Sequence, residues 1–366
     1  MNRKCIIHLP FYIDVEHPSG SQIRPIKMIN AFKNIGYDVE VISGYGDKRK
    51  SIIKEIKENI KNGIKYEFVY SESSTEPTLL TEKNHLPQYP ILDFNFLKYC
   101  KEKGIKIGLF YRDIYWKFPI YSESVGLLKR IVAKSFYKYD LKQYNKIVDV
   151  LYLPCMEMSK YISEIQNVKI KELPPAIDEV CDGDEYNRKD IKDKLRIFYV
   201  GGISGLYDLK NLFIAINKCN NVELTVCCRQ SEWEKCKDRY EENLIGNIKI
   251  IHKSGDELKK YYLESDIASL FFQPSEYRSF AMPLKLFEYI QYNKPIITTK
   301  GTATGNFVER YGIGWNINYD IKDLVDLINY LNENNDEISI KSKNMSKIIE
   351  DNKWNSRAKQ VEKDLS

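Results

Sequence analysis

Short apolar runs alternate with amphipathic stretches along the chain. In the first half the runs are CIIHL at 5–9, DVEVIS at 38–43, EFVYS at 67–71, IKIGLFY at 105–111 and VDVLYLP at 148–154. Runs this short and this rich in β-branched and aromatic residues predict strands. Between them, IRPIKMINAFKNIGY, SIIKEIKENIKNG and LLKRIVAKSFYKYDLKQYNK repeat apolar residues at three- and four-residue intervals and predict helices. The alternation indicates a parallel sheet covered by helices.

The pattern breaks in LPPAIDEVCDGDEYNRKDIKDK, which is acidic, starts with prolines and lacks apolar periodicity. A second series follows, with strands expected at 195–200, 222–228, 247–252, 266–272, 295–299 and 314–319, and a mostly helical tail from Asp320. At 366 residues the chain exceeds the size at which one core usually stops growing. The expectation is an α/β protein of two Rossmann-like domains whose parallel sheets face each other across a cleft, with ligands at the carboxyl ends of the strands. Its parts are an N-terminal acceptor domain (1–173), a linker (174–194), a C-terminal donor domain (195–340) and helices at 341–366 crossing back to the first domain.

Composition narrows the class. Hydrophobic residues make up 43% and charged ones 29%, which is ordinary for a soluble globular chain, although 27 tyrosines are many. No apolar run approaches the roughly 20 residues that span a bilayer. The start, MNRKCIIHLPFYIDVEH, lacks a signal-peptide h-region and cleavage site, so a cytoplasmic location is expected. Eight cysteines without a C-x-x-C pair and four histidines without metal spacing indicate buried free thiols and no structural metal.

The net charge of +5 is unevenly spread: Lys98 to Lys146 holds twelve Lys or Arg against four Asp or Glu. Such a stretch attracts phosphate on a lipid surface, a lipid-linked acceptor or nucleic acid, and it equally suits a solvated helix face. No recognition motif for nucleic acid accompanies it, so nucleic acid is not an expected partner. Within it, Leu128, Ile131, Val132, Ser135 and Phe136 share one helix side with lysines around them. That suits peripheral contact with an anionic membrane surface or packing on the sheet.

Candidate chemistry concentrates in MPLKLFEYI at 282–290, followed at once by QYNKPIITT. Leu284 and Phe287 recur at helical spacing, while Lys285 and Glu288 share the opposite face near the first turn. A helix start attracts phosphate through its unpaired N–H groups, Lys285 adds a point charge, and Glu288 can accept from a ribose diol. In YVGGISGLYDLKNLFIAI, a strand runs through Gly201, Gly202 and Gly205 into a helix with Lys210 in its first turn, again suited to a pyrophosphate. The spacing fits neither a Walker A loop nor a strict G-x-G-x-x-G.

Other strand ends carry charge. Arg229 directly follows VELTVCC, where it can meet a phosphate or base or simply face solvent. Arg112 and Asp113 follow IKIGLFY; they can bind an acceptor hydroxyl or phosphate, with Asp113 orienting a nucleophile, or form a salt bridge under Trp116. Ser19, Gly20 and Ser21 end the long loop after the first strand and can approach an anion or serve as an ordinary N-cap turn.

Pro283, Lys285, Glu288, Tyr289, Lys294 and Pro295 resemble the donor site of family-4 glycosyltransferases, retaining sugar-nucleotide enzymes of GT-B fold, in the variant with Pro-x-Lys-x-x-Glu-Tyr before a Lys-Pro-hydrophobic strand. The loop with Gly20 and Ser21 resembles the family's glycine loop, and Arg112–Asp113 stands where many members have His-Asp. Gly202 stands where an Arg is usual, and Lys210 matches. IIHKSGDELKKYYLESDIASLFF resembles the segment that meets the base, implying donor contact by backbone around Lys253. Many members have a first glutamate where this chain has Phe280; Glu276 and Arg278 in the same loop could compensate, for sugar and phosphate respectively.

The resemblance implies transfer of a sugar from a UDP- or GDP-linked donor to a glycan or lipid-linked acceptor hydroxyl, with retention, in surface-polysaccharide synthesis; the basic helix, not the resemblance, suggests the inner face of the membrane. It implies no cofactor and no metal, since Lys210 and Lys285, with Arg229 or Arg278, would neutralise the departing diphosphate. The alternatives are a nucleotide-sugar epimerase of the same architecture and a catalytically degenerate scaffolding subunit.

Overall fold

A computed structural model describes residues 3–14, 20–178 and 194–366, apart from the side chains of Ser21 and Ser124. Most of the expected linker, Cys181 and Ser19 lie outside the described residues. The chain divides into two units, 1–174 with 354–366, and 175–353.

The first unit contains β1 (Arg3–His8), β2 (Tyr37–Ile42), β3 (Phe68–Glu72), β4 (Lys106–Phe110), β5 (Val150–Leu153) and β6 (Lys169–Glu172). All pair in parallel, in the order β2-β1-β3-β4-β5-β6. The central strands β3 and β5 are buried along their whole length, as expected for parallel strands covered on both faces. β6 reads KIKE and is half-exposed at the sheet edge; without an apolar alternation it escapes sequence-based detection. Helices α1 (Gly20–Asn34), α2 (Gly46–Lys61), α3 (Leu92–Glu102), α4 (Pro119–Ser124) and α5 (Leu127–Ile147) fill the connections.

The chain's last helix, Trp354–Leu365, belongs to this unit. Gly108 of β4 leaves room for it, because a Cβ there would lie 2.9 Å from Leu365 Cδ1. Asp364 accepts from Tyr152 Oη at 3.2 Å and pairs with Lys171, Gln360 donates to the Glu172 carbonyl at 2.8 Å, and Arg357 donates to the Pro174 carbonyl at 3.2 Å.

The second unit contains β7 (Leu195–Val200), β8 (Val222–Cys227), β9 (Ile248–Ile251), β10 (Ile267–Leu270), β11 (Ile296–Thr299) and β12 (Gly314–Ile317). They are parallel in the order β12-β11-β10-β7-β8-β9. The helices are α6 (Lys210–Asn217), α7 (Gln230–Cys236), α8 (Leu258–Glu264), α9 (Leu284–Gln291), α10 (Ala303–Tyr311), α11 (Ile321–Glu333) and α12 (Asp336–Ser346); the last helix of the chain is α13. Ile338 and Met345 of α12 sit in the core of this unit. The chain therefore rejoins the first unit at Trp354 rather than at 341.

The second sheet changes direction of winding between β7 and β10. In open α/β sheets ligands bind beyond the carboxyl ends of the strands at this point. The loop after β7 carries Gly201 and Gly202, and the loop and helix after β10 carry Arg278, Lys285 and Glu288.

Candidate functional site

Helix α9 forms because Leu286, Phe287, Tyr289 and Ile290 bury one face while Lys285 and Glu288 stay on the other. Pro283 stands at the N-cap with extended backbone, and no side chain caps the start. By contrast, Thr302 caps α10 and Asp320 caps α11. A lysine in an uncapped first turn opposes the helix dipole, so this end is electrostatically short of an anion. Lys285 Nζ lies 3.9 Å from Glu288 Oε2, with both side chains about one-third exposed. Tyr262 of α8 donates to the same carboxylate oxygen at 2.8 Å, and its ring stacks on Tyr292 at 4.2 Å. Burial, then the neighbouring Glu288 carboxylate, pushes the Tyr262 phenol far up, so it stays a donor.

Tyr289 ties α9 to β7, its hydroxyl accepting from the Val200 amide at 3.1 Å. That bond sets Lys285 beside the glycine loop: a Cβ on Gly201 would fall 3.3 Å from Lys285 Cε and 2.7 Å from Tyr199 Oη. The loop turns tightly, with the Tyr199 hydroxyl donating to the Gly202 carbonyl. Donors of the loop and of the following helix start are taken by the protein's own carboxylates. Glu232 of α7 accepts from the Ile203 amide at 3.0 Å and from Ser204 Oγ at 2.7 Å. Asp208 accepts from the Lys210 amide at 2.8 Å and pairs with Arg239 at 2.6 Å. The Lys210 side chain is exposed and without an ion pair among the described residues.

Arg278 is not a solvent-facing cation. Its guanidinium is buried over Phe272 at 4.1 Å and Tyr207 at 5.1 Å and donates to the Leu206 carbonyl. No carboxylate pairs with it among the described residues, and burial lowers its pKa. Since Tyr207 also approaches Gly202, with a Cβ there 3.2 Å from Tyr207 Cδ2, Arg278 borders the glycine loop on a second side. Phe280 is buried, and Glu276 in the same loop is exposed. The backbone of Lys253 faces the Cys227 thiol, which donates to its carbonyl at 3.3 Å and accepts from its amide at 3.4 Å. Arg229 precedes α7 at the carboxyl end of β8 with an exposed side chain.

In the first unit, the Arg112 guanidinium is directed to the interior. It pairs with the fully buried Glu72 at 3.1 Å, and Arg24 approaches the same carboxylate at 3.3 Å while Tyr70 donates to it at 2.8 Å. Arg112 thus forms a salt bridge with Glu72. Asp113 accepts from the Tyr115 amide at 2.9 Å, which shapes the turn after β4. Trp116 is buried, stacking on Tyr137 at 4.9 Å. Gly20 and Ser21 begin α1; the Ser21 side chain lies outside the described residues.

Residues 184–352 match the family model described as glycosyl transferases group 1. The matched residues fall within the second unit, 175–353. No curated protein sequence matches the chain. Among solved structures, sucrose-phosphate synthase from Thermosynechococcus elongatus is similar with TM-score 0.67 at 11% identity, covering 99% of this chain and 98% of that one. Anabaena HepE in complex with UDP-glucose gives 0.63 at 12%, with 99% of each chain covered. WaaG, a glycosyltransferase involved in lipopolysaccharide biosynthesis, gives 0.60 at 13%, again over 99% of each. At these identities the likeness speaks to fold, which is GT-B.

Two side chains of the second unit escape a reading of sequence. Tyr262 has no local signature, since its partner Glu288 lies 26 positions away and meets it only through packing. Glu232 does leave a trace, a carboxylate in the first turn of a helix that opens at a strand's carboxyl end. Seven cysteines are free and buried, consistent with the reading of isolated thiols. Among the described residues no three His, Cys, Asp or Glu side chains are grouped to hold a metal ion, and no helix is long and apolar enough to cross a membrane.

Proposed function

We propose that the protein transfers a sugar from a UDP- or GDP-linked donor to a hydroxyl of a glycan or lipid-linked acceptor, with retention at the anomeric carbon. The observation that carries this reading is the union of three groups at the winding switch of the second sheet: the uncapped start of α9, Lys285 against Gly201, and Glu288 held by Tyr262. Lys285 and the helix-start amides would take the pyrophosphate, and Glu288 would take the ribose. Stabilising the departing diphosphate is then the main catalytic task, helped by the unpaired Lys210 and by Arg229. Fixed cations supply that charge without a metal or cofactor. Arg278, bordering the loop from within, adds positive potential rather than a direct contact. Asp113 is the group proposed to orient the acceptor hydroxyl.

The UDP-glucose complex of the HepE neighbour and the lipopolysaccharide role in WaaG's description support a nucleotide-sugar donor and a surface-glycan product. The reaction is proposed to take place in the cytoplasm. Calorimetry with UDP and with GDP tests the reading, followed by incubation of each with candidate sugar nucleotides and acceptors. Tight binding of one nucleotide that Lys285→Ala weakens is expected. Binding of neither would leave a scaffolding subunit, and donor turnover without an acceptor would indicate an epimerase.

A further inference from the structure

Helix α5 carries a feature that donor chemistry does not use. Its inward face is Ala133, Tyr137, Asp140, Leu141, Tyr144 and Ile147, all buried. On the opposite side of its first two turns lie Leu127, Leu128, Ile131 and Val132, exposed to 61%, 80%, 55% and 50%. Positions i, i+1, i+4 and i+5 share one helix face, so these four aliphatic side chains form one stripe. Leu128 is the most exposed large hydrophobic residue among those described. Packing on the sheet, the alternative reading of this segment, is satisfied by other residues and leaves the stripe uncovered.

The outward charges of the helix itself have one sign, although Glu123 of α4, just before it, is exposed. Lys129, Arg130, Lys134, Lys138, Lys142 and Lys146 belong to the helix, and its single acid, Asp140, is buried on the inward face. An aliphatic strip flanked by lysines is the signature of an interfacial helix lying along an anionic bilayer, where side chains enter the acyl boundary and cations meet headgroup phosphates. A second copy of the chain docked through the same face would bring these cations against one another. A nucleic acid would meet its phosphates but leave the aliphatic strip facing a polar backbone.

We propose that the outward face of the first turns of α5 docks on an anionic lipid surface. This inference stands on the surface alone and does not need the transfer reading to hold. The test is cosedimentation of the full chain with vesicles of phosphatidylglycerol in phosphatidylcholine and with vesicles of phosphatidylcholine alone, at low and high salt. Wild type should pellet with the anionic vesicles and weaken with salt. Leu128→Glu with Ile131→Glu should reduce partitioning at least about tenfold, and Lys134→Gln with Lys138→Gln about fivefold per lysine. Thermal melting should hardly change in either, because the positions are exposed.

A wild type that stays in the supernatant overturns the proposal. So do variants that pellet as wild type does, equal binding to neutral vesicles, or a dimer in vesicle-free sedimentation that Leu128→Glu with Ile131→Glu abolishes. UDP affinity measured on the same preparations separates failure here from failure of the transferase reading, since none of these residues belongs to the donor site.

Discussion

Replacing Tyr262 by phenylalanine removes one hydrogen bond and keeps the ring. The hydroxyl donates to Glu288 Oε2 at 2.8 Å, while the ring is fixed by stacking on Tyr292 and by an edge contact with Phe198 at 5.1 Å. Hydrogen bonds to a charged group contribute about 1.5–3 kcal/mol, and water replaces part of that because the Glu288 side chain is about one-third exposed. The remaining cost of about 1–1.4 kcal/mol corresponds to a five- to tenfold rise in Kd for a nucleotide whose ribose Glu288 holds. Inorganic pyrophosphate contacts only the Lys285 end of the site in this reading, so its affinity should not move. Calorimetry with UDP, GDP and pyrophosphate on wild type and Tyr262→Phe makes the comparison. An unchanged nucleotide affinity, or an equal loss for nucleotide and pyrophosphate, would refute the division of labour between Glu288 and Lys285.

Lys285→Ala should weaken nucleotide and pyrophosphate together by about 10- to 100-fold, the worth of one charge-assisted contact, read by the same calorimetry. Arg112→Ala leaves the buried Glu72 with Arg24 as its remaining cation and should cost about 2 kcal/mol in urea unfolding; normal stability with lost transfer would instead assign Arg112 to the acceptor. Asp140 is buried with Oδ1 unpartnered among the described residues, and burial raises its carboxyl to about 7. Its folded value exceeds the unfolded value of about 3.9, so its contribution is full below about pH 4 and is lost as pH rises towards 7, by at most about 4 kcal/mol. Asp140→Asn should flatten that part of the stability–pH curve in urea titrations, and identical slopes for variant and wild type would contradict it.

Among the described residues eleven of the twelve strands coincide with apolar runs, the inner ones because strands buried on both faces must be apolar nearly throughout. The exception, β6, pairs at an edge where Lys169 and Lys171 can reach solvent. Motif spacing located α9 and the glycine loop correctly, since each depends on a few neighbouring residues. Arg278 and Arg112 were harder to read: a charged residue at a strand end or in a loop looks solvent-directed until distant groups, such as Phe272 or Glu72, are folded against it. The His8 network is of the same kind. His8 lies 2.9 Å from Ser71 and 3.0 Å from Asp93, and Arg49 grips Asp93 with two bonds of 3.1 Å, all of it buried and joined from four elements. Opposing burial, His8 and Arg49 hold the Asp93 carboxyl below its ordinary value.

The return of α13 to the first unit has a consequence for synthesis. On a ribosome, residues 1–174 emerge first, yet Gly108, Tyr152 and Glu172 meet their partners only when Leu365, Asp364 and Gln360 arrive. The contiguous stretch 175–353 needs nothing translated later. The first unit is therefore completed only by the last residues translated, and a released chain truncated after Lys353 would hold a complete second unit with an unfinished first.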